Sequence, residues 1–94
     1  MASGEQQEMT VESLRQLANQ YRVNAGKAEE VSQFLNRQNS SMYWQSEASA
    51  SFKSSVNKYI QKLNNFRDSF KALAQEIDNR AQIMETTQKA ASIG

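Results

Sequence analysis

Apolar residues recur every seventh position through most of this chain, first as Leu14, Tyr21, Ala28, Leu35 and Met42. A parallel row holds Leu17, Asn24, Val31 and Gln38, with Ala18 and Ala25 flanking, and its polar members weaken it. The second half repeats the pattern more cleanly. Phe52, Tyr59, Phe66 and Leu73 form one row, and Val56, Leu63, Phe70, Ile77 and Met84 form the other. Ile60, Ala74 and Ala81 widen that stripe. A seven-residue recurrence puts apolar side chains on one face of a helix, so the pattern predicts two amphipathic helices, over about 10–40 and about 48–88. Phe66 and Leu63 lie in mid-stripe and are expected to be the most deeply buried.

The ends of these elements are also written locally. Thr10 is an N-cap candidate, Glu12 suits the positive end of the first helix, and Met9 and Leu14 can pack across the cap. Asn39, Ser40 and Ser41 compete with helical backbone bonds. Ser46 can cap the second helix with Glu47 in its first turn. A turn is therefore expected over about 41–47, with flexible ends at 1–9 and 89–94. Glu76 and Arg80 are spaced as an exposed ion pair one helical turn apart. Gly26 interrupts the first helix, and a close helix crossing is the use expected of it.

Two such helices joined by a short connection form an antiparallel hairpin. Each arm spans roughly 45–60 Å at the helical rise. One hairpin cannot cover a stripe this wide, and the flanking Ile60, Ala74, Ala18 and Ala25 are expected to remain open. The expected fold class is therefore all-α: a helix-turn-helix hairpin that pairs as an antiparallel four-helix bundle dimer. The seam of core and dimer is assigned to Leu14, Leu17, Tyr21, Val31, Leu35, Val56, Tyr59, Leu63, Phe66, Phe70, Leu73 and Ile77.

Composition narrows the chemistry. The 94 residues suit one small domain, and only 38% of them are hydrophobic. So short a chain is marginal alone, and disulfides, metals or oligomerisation are the usual remedies. There is no Cys and no His. That removes a disulfide framework, the commonest metal ligand and the commonest general base. No cluster of Asp, Glu, Lys or Tyr replaces them, so the chain is read as a non-enzyme without cofactor or metal. The net charge of +1 gives no pull toward nucleic acid. Lys53, Lys58, Lys62, Arg67 and Lys71 make the start of the second helix basic, and a solvated face explains them without aromatic stacking residues beside them. No apolar run reaches the roughly 20 residues of a membrane span, so no stable membrane insertion is expected. The opening MASGEQQEM has neither a basic nor an apolar region, so no classical signal peptide is expected.

The single Trp falls in the predicted turn, in the stretch YWQSEASASF. Trp44 can fold over the end of the hairpin and close its apolar stripe. Ser46 is small enough for the chain reversal, Ala48 allows close helix approach, and Phe52 begins the second seam. Read bottom-up, Trp44 is a packing residue at a corner.

The constellation as a whole resembles the WXG, or ESAT-six-like, family of small type VII secretion proteins. The motif reads Trp44, Gln45, Ser46, Glu47, Ala48 and then Phe52, at the centre of a helical hairpin. The opening TVESLRQLANQY, residues 10–21, also looks like that family's first helix, and the likeness covers about residues 10–90. Ser46 stands where the family has Gly. The stretch AQIME, residues 81–85, has Ala where an aromatic-x-x-x-acid export signal would begin. Tyr43 and Glu47 share that spacing but fall in the turn. The resemblance implies a secreted, virulence-associated protein made in the bacterial cytoplasm. It would be exported folded, as a homodimer or with a paralogous hairpin, by the type VII machinery, and would act through protein binding. The alternative is an export partner or chaperone-like subunit for a second hairpin or a larger toxin. A filament subunit such as a type III needle protein is also a short helical hairpin, but resembles P-x-x-P at its turn, and this chain has no Pro.

Overall fold

The computed structural model describes residues 9–41 and 47–93, with side chains through residue 91. Within these residues all regular structure is helical: α1 spans Val11–Ser41 and α2 spans Glu47–Ile93. The expectations for Met42, Trp44 and Ser46 lie outside the described residues. The two helices pack against each other as a hairpin. The molecule measures 72 × 34 × 14 Å, so its thinnest dimension is that of a single helix. It is one layer of two rods.

The start of α1 is built as its sequence suggests, with an added reciprocal bond. The Ser13 amide donates to the Thr10 hydroxyl at 2.9 Å, and the Thr10 amide donates to the Ser13 hydroxyl at 2.8 Å. This is a capping box with Ser in the place usually held by Glu or Gln, and it satisfies two backbone donors that the helix itself leaves over. Glu12 lies in the first turn. At the far end the Ser41 hydroxyl donates to the Gln38 carbonyl at 3.1 Å, supplying one of the missing terminal donors. Glu47 occupies the first turn of α2.

Two expectations about the helices need correction. α2 continues to Ile93 rather than ending near residue 88. The apolar stripe stops there, but Lys89, Ala90 and Ala91 are good helix formers and no Gly or Pro intervenes before Gly94. Gly26 makes no close crossing either. It is exposed, and a Cβ added to it would meet nothing within 4 Å. It is an unsupported glycine in a helix interior.

The larger correction concerns what lies between the rods. The fully or nearly buried residues of α1 are Leu14, Ala18, Ala25, Ala28, Ser32 and Asn39. Together with half-buried Tyr21 and Leu35 they step by alternating fours and threes. On α2 the matching line is Val56, Ile60, Leu63, Arg67, Phe70, Ala74, Ile77, Ala81 and Met84, of which Ala74 and Ala81 are fully buried. No large side chain is completely buried anywhere among the described residues. The hairpin therefore closes on small residues. Ala18, Ala25, Ala74 and Ala81 let the helices approach, and of the large seam residues only Leu14 is buried.

Candidate interaction surface

The seam has two edges of different chemistry. Along one edge run Arg15, Arg22 and Glu29 of α1, facing Glu85, Asp78 and Arg67 of α2 in antiparallel order. Arg15 donates to Glu85 at 3.1 Å, Arg22 is hydrogen-bonded to Asp78, and Arg67 to Glu29. Arg67 also donates to Asp68 at 2.8 Å. Further toward the turn the Ser32 hydroxyl donates to Asn64 at 2.7 Å, and the Asn39 amide donates to Asn57 at 2.9 Å. The chain is zipped along this edge by polar pairs at nearly every second turn.

The Arg67 guanidinium sits at the busiest point of that zipper. Its hydrogen bond lowers the Glu29 carboxyl below the usual range, helped by a second bond from Gln33. It lowers Asp68 in the same way. The two carboxylates in turn raise the guanidinium, so all three groups hold their charges more firmly than free side chains would.

The other edge is apolar. It consists of the Leu17, Asn24, Val31 row of α1 beside the Phe52, Tyr59, Phe66, Leu73 row of α2. Leu17, Val31, Tyr59, Phe66 and Leu73 among them were assigned from sequence to the seam, and the hairpin does not bury them. Val31 is 47% exposed, Phe66 44% and Tyr59 61%. Leu17, Leu73 and Phe52 are exposed as well. By contrast Leu14, Tyr21, Leu35, Val56, Leu63, Phe70 and Ile77 do lie in the hairpin seam. Within the single hairpin Phe66 is therefore not among the most buried residues; the closest packing belongs to the line of alanines beside it. Of the four motif residues Ala48 and Phe52 have described positions, and both are exposed near the start of α2.

Phe66 is nonetheless held in place. Its ring stacks on Phe70 with centroids 4.1 Å apart, and Phe70 meets the edge of Tyr21 at 4.8 Å. Aromatic pairs of this kind fix ring orientation. Between the helices the apolar edge opens into a shallow hollow of about 450 Å³, floored by Ala28 and Leu63 and walled by Val31, Tyr59 and Phe66. Lys27 and Lys62 stand at its rim, and the Lys62 ammonium lies 5.7 Å from the Tyr59 ring centre. A second hollow of about 510 Å³ lies at the open end of the hairpin, where Met9, Leu14, Ile83 and Met84 meet. A smaller one joins Leu17, Tyr21 and Phe70.

The expectation that Ile60, Ala74, Ala18 and Ala25 stay open is corrected: the hairpin closes on them, because small side chains let the two helices approach. The signal that could have corrected it was the charge order. Arg15, Arg22 and Glu29 against Arg67, Asp78 and Glu85 pair only if the helices meet on the alanine side. Among the described residues no three His, Cys, Asp or Glu side chains are grouped to hold a metal ion, and no helix is long and apolar enough to cross a membrane. Compared with family models, curated proteins and solved structures, the chain gives no match.

Proposed function

We propose that this chain is a small WXG-type, ESAT-six-like protein that leaves the bacterial cytoplasm through a type VII secretion system, folded and paired with a second helical hairpin. It acts by binding protein, not by catalysis. The observation that carries the reading is the apolar edge left open by the hairpin. Tyr59, Phe66 and Leu73 form an exposed row at seven-residue spacing on α2, with Val31 exposed on α1. Contiguous exposed apolar surface of this kind marks an interaction site. A second two-helix layer laid over it would complete a four-helix bundle. The turn motif around Trp44 supplies the link to type VII secretion.

The experiment measures the chain in culture supernatant from a host with an intact type VII system and from the same host with that system deleted. Sedimentation of the purified protein, alone and with a candidate partner hairpin, is measured alongside. Secretion that depends on the system, with a paired species in solution, is the expected result. Retention in the cell in both hosts, even with neighbouring genes co-expressed, would leave a helical hairpin without this function.

The second reading, an export partner or chaperone-like subunit for another hairpin or a larger toxin, draws support from one feature. The hollow at the centre of the apolar edge carries Lys27 and Lys62 at its rim and no carboxylate. In that case the protein folds fully only with its partner, and its export depends on the partner being present.

A further inference from the structure

We infer that the occupant of the apolar edge is an amphipathic helical partner with carboxylates beside its own apolar row, in preference to a second copy of this chain. The inference rests on the reading of that edge as the docking surface for a hairpin.

The two edges handle charge differently. On the zipped edge each Arg has an acidic partner within the same molecule. On the apolar edge, the rows that flank the patch carry Lys27 on α1, and Lys62 and Glu76 on α2. Glu76 already pairs at 3.7 Å with Arg80, one turn further along α2, and both lie well beyond Phe66 at the edge of the central hollow. That leaves Lys27 and Lys62 as the charges at the hollow, both of one sign. Neither has an ion-pair partner among the described residues; Lys62 rests against the Tyr59 ring.

Symmetric pairing brings the same patch of two copies together. A second copy centred on Val31 and Phe66 would therefore gather both of its lysines around the same hollow as the first pair. Like charges placed opposite each other disfavour a partner, and opposite charges select one. As the patch is dehydrated, the ammonium groups lose water and find no carboxylate to replace it. A partner with Asp or Glu at the flanking positions keeps the apolar contact and supplies that missing charge. An anionic membrane surface would satisfy the lysines too, but it would not require the straight, seven-residue-spaced row of Tyr59, Phe66 and Leu73 that a facing helix would fill.

The test uses the chain itself as the probe. A Lys27→Glu/Lys62→Glu chain presents the same apolar row with carboxylates at its rim. Both substitutions fall on exposed side chains, and circular dichroism verifies the fold. Wild type and the charge-reversed chain, distinguished by mass, are mixed, unfolded, refolded and analysed by native mass spectrometry and sedimentation. The runs are made at about 0.1 M and about 1 M salt, where the screening length is about 10 Å and about 3 Å. At the lower salt the mixed pair should exceed the share given by random re-pairing and bind roughly fivefold or more tightly than the wild-type pair, in line with charge-directed selection. The preference should shrink at the higher salt. A neutral Lys27→Gln/Lys62→Gln chain should self-associate more tightly than wild type.

Pairs that form without bias, or wild-type pairs that are tighter than mixed ones, would overturn the inference and leave the docking surface standing. Well-folded chains that form no pairs in any mixture would overturn both. So would wild type that binds phosphatidylglycerol vesicles and forms no pairs; it would assign the edge to anionic lipid.

Discussion

One edge of this hairpin is finished and the other is not. On the zipped edge, Arg15, Arg22 and Glu29 meet acids or a base of the opposite helix, and the Ser32–Asn64 and Asn39–Asn57 bonds continue the line. On the other edge Val31, Tyr59, Phe66 and Leu73 face outward. An exposed pair such as Arg15–Glu85 contributes at most about 1 kcal/mol. Fully burying a side chain the size of Phe contributes about 1.5–3 kcal/mol. The edge with many named bonds is therefore the weaker source of stability, and it serves mainly to set the register of the two helices. The edge with few bonds holds most of the free energy still to be gained, and it is gained only when something covers it.

The sharpest way to break this comparison is to remove Phe66 and measure both functions separately. Phe66→Ala should leave the helices largely formed by circular dichroism, because the ring is half exposed in the hairpin. It should weaken pairing with a second hairpin by about 2 kcal/mol or more, as central aromatic anchors do. Loss of the hairpin fold without any separate loss in pairing would place Phe66 in the hairpin's own core.

The alanine line can be challenged from inside. Ala74 and Ala25 are fully buried. Replacing either with Leu forces the rods apart and should cost about 1–3 kcal/mol in chemical denaturation. A neutral Ala74→Leu would show that the helices meet along a different line. Because the zipper depends on that closeness, the same variant should also lose the Arg22–Asp78 and Arg67–Glu29 pairs.

Gly26 tests the unfinished molecule from its outer face. With nothing near its missing Cβ, Gly26→Ala should raise stability by about 0.4–1 kcal/mol. A loss in pairing with no loss in hairpin stability would instead put Gly26 against a partner.

The smallest effect belongs to the zipped edge and is read from pH. Arg67 lowers the Glu29 carboxyl in the folded state. A carboxyl held below its unfolded value stabilises the fold at pH values above the unfolded pKa. That contribution is lost as pH falls through the lower, folded pKa. Stability should therefore decline on acidification from just below the ordinary Glu range downward. Glu29→Gln should flatten that part of the profile in urea denaturation at a series of pH values. An unchanged profile would mean that the pair does not persist in solution.

Much of this architecture could be read in advance from particular residues. Thr10 caps α1, Glu12 and Glu47 open the two helices, and Glu76 pairs with Arg80 because each depends on neighbours within a turn. The half of the seam formed by Leu14, Tyr21, Leu35, Leu63, Phe70 and Ile77 was legible for a similar reason: it is the midline of the stripe whichever way the helices roll. The candidate site was legible as a set of residues but not as a surface. Leu17, Val31, Tyr59, Phe66 and Leu73 were expected to be enclosed, and they are the face left open.

The amino-acid sequence alone determined that there are two helices, where the polar break between them falls, that no thiol or imidazole is present, and that its apolar stripe is wider than one partner helix. All of these follow from periodicity, composition and short-range bonding. The tertiary structure decided how the helices roll, and so which side of the stripe is closed. That choice depends on alanines close enough to pack and on pairs such as Arg15–Glu85 and Arg22–Asp78, 70 and 56 positions apart along the chain. A seven-residue pattern looks alike from either side, and only when the second rod is laid against the first do interhelical distance and charge order distinguish the closed edge from the open one.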